Sequence, residues 1–116
     1  MKIRIKGNSL RYRLTKGDVQ RFAKYGYIEE TIDFGSQTLT YALEQHNFNM
    51  LMATFDGNKI ILLMPATMAT EWGLTERVGF EGFYDDLFLL IEKDFKCLDN
   101  VAEDQSDNYP NPLLKS

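Results

Sequence analysis

The densest cluster of chemistry-bearing side chains is basic and sits at the start of the chain, where Lys2, Arg4, Arg11 and Arg13 flank the dipeptide Gly7-Asn8. Ile3-Arg4-Ile5 and Leu10-Arg11-Tyr12-Arg13-Leu14 alternate with period two, and Gly-Asn has the chemistry of a two-residue hairpin turn. Such a turn sets Ile5 opposite Leu10 and Ile3 opposite Tyr12 on one face, with Arg4 opposite Arg11 and Lys2 opposite Arg13 on the other. Like charges directly opposite destabilise a strand pair by about 0.2–1 kcal/mol, so something negative must compensate. An anionic small molecule or an acidic protein partner would do so through charge-assisted hydrogen bonds, the arginine fork matching carboxylate or phosphate. Acidic strands of the same fold would do so equally well.

Other candidates are thinner. Glu30 falls on the same strand side as Ile28, Ile32 and Phe34, where desolvation would raise a carboxyl pKa toward general acid or base work; an edge position would leave it ordinary. His46, in the connection Glu44-Gln45-His46-Asn47, has no nucleophile or acid at triad spacing. Cys97 follows Lys96 at the end of the last strand, with no His or second Cys near it, and reads as a packing residue. One Cys and one His cannot build a Cys/His zinc site, and Asp99, Glu103, Asp104 and Asp107 lack calcium-loop spacing. With no phosphate loop, nucleophile elbow or dinucleotide fingerprint, the sequence designates no catalytic residue, metal or cofactor.

The elements that hold these residues come from a chain of 116 residues, 44% hydrophobic and 26% charged, which is the size and composition of one globular core. The net charge of -4 conceals a segregation: residues 1–25 carry eight basic side chains against the single acid Asp18, and the remainder is strongly acidic. The longest apolar runs, Ile60 to Met64 and Leu87 to Ile91, are too short to cross a membrane, and the alternating start does not read as a signal peptide, so a cytoplasmic protein is expected. A pI near 4.9, with Tyr12 on the core side as the only aromatic of the basic hairpin, argues against nucleic acid.

An internal repeat with an offset of 50 residues organises the chain. Gly7-Asn8 recurs as Gly57-Asn58, Tyr12 as Leu62, Leu14 as Met64, Phe22 as Trp72, Leu39 as Leu89 and Tyr41 as Ile91. Thr15 followed by Asp18, Val19 and Phe22 predicts a capped helix ended by Gly26; Tyr27 to Phe34 and Thr38 to Leu43 predict a second hairpin. The second copy predicts strands at Met50 to Phe55, Ile60 to Met64, Val78 to Tyr84 and Leu87 to Glu92, with a helix near Thr67 to Trp72 stopped by Gly73. Met52, Ile61 and Leu63 make its first hairpin apolar on both faces, calling for a covering helix or a homodimer. The expected fold is therefore α+β and β-rich: two ββαββ repeats, about 2–45 and 52–95, related by pseudo-twofold symmetry. About eight strands would form a barrel or a sandwich with two short helices. A barrel would admit a second reading, a small enzyme or sensor acting on a phosphorylated molecule inside it.

The domain is expected to span 1–98, and 99–116 to be an acidic tail containing Pro110 and Pro112. Charge and the aromatic anchor Tyr109 predict that this tail docks on the domain through Tyr109, Asp104 and Asp107, with an acid against the basic hairpin. Lys2 to Arg11, Glu92-Lys93-Asp94-Phe95-Lys96-Cys97-Leu98 and Glu103-Asp104-Gln105-Ser106-Asp107-Asn108-Tyr109-Pro110-Asn111-Pro112 resemble a small bacterial family of unknown function. The resemblance implies no activity. It implies that the tail is part of the domain's design.

Overall fold

The computed structural model of the chain describes residues 1–95 and 106–110. The element order is β1 (Lys2–Ile5), β2 (Ser9–Leu14), α1 (Lys16–Tyr25), β3 (Tyr27–Asp33), β4 (Thr38–His46), β5 (Met52–Asp56), β6 (Lys59–Pro65), α2 (Ala66–Leu74), β7 (Gly79–Tyr84) and β8 (Leu87–Lys93). This is ββαββ used twice, as the 50-residue offset predicts. Gly7 and Gly57 take positive φ angles of 54° and 59°. Asn8 and Asn58 do not. A left-handed glycine at the first central position alone is the pattern of a type II′ hairpin turn.

The strands form two four-stranded sheets in the orders β1-β2-β8-β7 and β3-β4-β6-β5. Each sheet takes one hairpin from each repeat and joins them through a parallel seam, β2 with β8 and β4 with β6. The sheets are open, with edge strands β1 and β7 in one and β3 and β5 in the other. The barrel is thus corrected to a sandwich. In ββαββ the helix between the hairpins carries the chain from one sheet to the other, so the halves interlock across a filled core and no strand pairing links the sheets.

Tyr12, Leu14, Leu43, Leu62, Met64, Leu89 and Ile91 are fully buried between the sheets. The helices add Val19 and Phe22 from α1 and Ala69 and Trp72 from α2. Thr15 and Asp18 make the predicted capping box, and Gly26 closes α1 in the left-handed region at φ 74°. Gly73 is a correction, because α2 runs through it to Leu74 and ends at Thr75. An added Cβ at Gly73 would stand 3.7 Å from the Ala23 methyl, so this glycine marks where the two helices approach. Met52, Ile61 and Leu63 lie half-buried on the outer face of their sheet. Both helices spend their buried residues on the core, so neither supplies the expected cover.

Candidate functional site: the basic strand face

The register of β1 on β2 is the one the turn dictates: Lys2 opposite Arg13, Ile3 opposite Tyr12, Arg4 opposite Arg11 and Ile5 opposite Leu10. The parallel seam then lays β8 beside the arginines, with Arg11 opposite Leu90 and Arg13 opposite Glu92. Alternation sends Arg11, Arg13, Leu90 and Glu92 to the same outer face. Glu92 Oε1 accepts from Arg11 Nε at 2.6 Å and from Arg13 Nε at 2.9 Å, and Arg11 also reaches it through a second guanidinium nitrogen. One half-buried carboxylate thus holds two arginines together. Lys2 Nζ lies 3.0 Å from Oδ2 of the buried Asp94, whose N–H donates to Leu14 O. Three of the four predicted basic residues are therefore engaged inside the fold by acids at the end of β8.

Arg4 has no acidic partner among the described residues. It lines a shallow depression of about 250 Å³ with Lys6, Ser9, Arg11, Phe88 and Leu90. Phe88 pairs with Phe83 of β7, their ring centroids 5.2 Å apart, and Phe83 is 64% exposed. Basic and aromatic side chains thus share one open face. Sequence reasoning missed Lys6, Phe83 and Phe88, because only the long-range pairing of β2 with β8 brings the aromatics to the arginines.

The remaining candidates fall elsewhere. Glu30 lies opposite Tyr41 on the core side of β3, but its carboxylate is 46% exposed and stands 3.5 Å from the N-terminal ammonium. That ammonium is itself buried, 2.7 Å from Asp18 Oδ2, while Met1 O accepts from Tyr41 Oη at 2.9 Å. Burial pushes the Asp18 carboxyl up, but bonds from the ammonium and from Thr15, with the ammonium's charge, outweigh this and leave it below the usual carboxylate range. Burial pushes the Tyr12 phenol far above its usual range. His46 is the last residue of β4 and not part of a loop, with Nε2 2.8 Å from Met50 O and its ring edge-on to Phe48. Cys97 and Asp104 lie outside the described residues.

Residues 106–110 return to the domain. Tyr109 N–H donates to Asp94 O at 2.8 Å, and its ring meets Phe95 at 5.7 Å between centroids. Asp107 goes to the start of α1, where its carboxylate accepts from Gly17 N–H at 3.3 Å and its carbonyl from Lys16 N–H at 3.1 Å. It is thus spent on orphan helix N–H groups rather than on the basic hairpin. Among the described residues no group of three or more His, Cys, Asp or Glu side chains is placed to hold a metal ion, and no helix is long and apolar enough to cross a membrane.

Residues 1–113 match the sequence model of a family of unknown function, DUF7009. No curated protein and no solved structure matches the chain.

Proposed function

The chain belongs to that family, and from its own surface we propose that it is a non-enzymatic interaction domain whose basic strand face receives an acidic protein partner. The observation that carries this reading is Arg4, unpaired among the described residues, on the same open sheet face as Arg11, Lys6, Phe88 and Phe83. Arginine and aromatic side chains together are the composition of an interface centre. The depression is small for a metabolite pocket, which runs to roughly 300–1,000 Å³, whereas a flat sheet face suits a protein surface. The reading of a reaction chamber inside a barrel loses its ground, since core side chains fill the space between two open sheets.

Backbone NMR of the full chain, titrated with an acidic peptide carrying phenylalanine and separately with a single-stranded RNA oligonucleotide, tests it. Saturable shifts confined to β1, β2, β7 and β8 with the peptide, weakened about tenfold in both Arg4→Glu and Phe83→Ser, are the expected result. Tighter binding of the RNA, or peptide shifts insensitive to both substitutions, overturns it.

A further inference from the structure

Lys93 occupies a position that the internal repeat assigns to an apolar residue. Its counterpart 50 residues earlier is Leu43, fully buried in the core. Lys93 lies on the inward side of β8, in line with Leu89 and Ile91, and is only 6% exposed. Its ammonium donates to Thr75 O at 2.9 Å and stands 5.2 Å from the centre of the Tyr109 ring. No carboxylate lies within ion-pair distance of it among the described residues; Glu76 acts on it only as a nearby charge. Buried charges in proteins are ordinarily paired. Burial accordingly pulls this lysine below its ordinary range.

The same side chain lines a groove of about 530 Å³, the size of a small-molecule site. Lys16, Gln20 and Lys24 line it from α1, where their i, i+4, i+8 spacing puts them on one stripe. Thr75 lies at the end of α2, and Tyr109 belongs to the returning segment. Three lysines and a carboxamide thus surround a groove in which the most buried ammonium has a carbonyl and a ring for company. The acid of the returning segment, Asp107, is already committed to the first N–H groups of α1.

We propose that this groove binds a small molecule bearing a compact oxyanion, phosphate or carboxylate, which supplies the missing counter-charge to Lys93. Lys16 and Lys24 hold the outer part of the anion, and Tyr109 walls the site only while residues 106–110 are docked. The site is separate from the basic strand face and does not depend on a protein partner binding there.

Calorimetric titration of the full chain with sodium pyrophosphate and, in parallel, with citrate tests the proposal and separates the two oxyanion sources. Saturable one-to-one binding of at least one of them is expected, reduced tenfold or more in Lys93→Leu, which installs the residue found at position 43. A few-fold reduction is expected in Lys16→Gln/Lys24→Gln, and none in Arg4→Glu. Lys93→Leu installs the residue found 50 positions earlier, but the seam sets Lys93 opposite Leu14 as it sets Gln45 opposite Met64, so the Tm of the variant is measured beside its binding to separate lost binding from lost folding. Lys93→Met serves the same purpose if leucine packs poorly. Absence of saturable binding with both anions, or undiminished binding in folded Lys93→Leu and Lys93→Met, overturns the site.

Discussion

Asp18 concentrates more of the fold on one side chain than any other acid near the core. It closes the capping box of α1 through Thr15, pairs with Arg21 and receives the buried N-terminal ammonium. The capping role was legible in the spacing of Thr15 and Asp18, and the hairpin register brings the start of β1 to the start of α1, but no local signal turns the terminal ammonium onto the Asp18 carboxylate. The sign of its pH effect follows from the direction of its shift. A carboxyl held below its unfolded pKa, about 3.9, contributes stability that is fully present above that value and is lost as pH falls through the folded one. Asp18→Asn should therefore cost about 1–3 kcal/mol near neutrality, from buried hydrogen bonds to a charged group. It should also flatten the acid side of the stability profile. Urea unfolding from pH 2.5 to 7 measures both, and an unchanged acid limb would mean that the ammonium does not hold this carboxylate in solution.

Within each hairpin the pairing was legible, since turn chemistry and period-two alternation fix the register of β1 on β2 to the residue. The pairing between hairpins was not, because a parallel seam joins residues some 79 positions apart, such as Leu10 and Leu89, and no local signal selects the neighbour. That one seam decides the chemistry of the basic face. Four cations on the hairpin need an anion, and for two of them it is Glu92, from a strand whose place no local signal assigns. Glu92→Gln should leave Arg11 and Arg13 facing each other without an anion, lowering stability by about 1 kcal/mol while strengthening capture of an acidic peptide on this face. Paired thermal melts and peptide titrations at low and high salt check this; parallel loss of stability and binding would contradict it. Just past the same end of β8, the segment 106–110 is held by two backbone hydrogen bonds, one ring and one carboxylate. Tyr109 buries apolar area against Phe95 whereas Asp107 is exposed, so Tyr109→Ala should lower Tm more than Asp107→Asn. The reverse order would make the helix cap, not the ring, the anchor.

The repeat suggests two autonomous halves, and the topology denies them autonomy. Residues 2–46 contribute β1 and β2 to one sheet and β3 and β4 to the other, so neither sheet exists until both halves are present. An isolated half would hold two two-stranded ribbons and one helix, and a lone hairpin is at best marginally stable in water. Pseudo-twofold symmetry leaves such a half one escape, to pair with a second copy of itself. The seams oppose that escape. Tyr12 lies opposite Ile91 in one; the residues 50 positions away are Leu62 and Tyr41, yet Leu62 lies opposite Leu43 in the other. The two seams thus differ by two residues, a shift that keeps every side chain on its face but changes each contact along the seam. A homodimer of one half would have to place the same strands in two seams of equal register, whereas the two native seams are unequal. The full chain should therefore unfold in a single transition with coincident far- and near-ultraviolet circular dichroism. A fragment of residues 1–50 should show no strand signal at micromolar concentration, and mixing it with 51–116 should restore the spectrum of the whole. A cooperative, concentration-independent melt of the 1–50 fragment alone would show that each repeat folds by itself and that the interlocked sheets are assembled from finished parts.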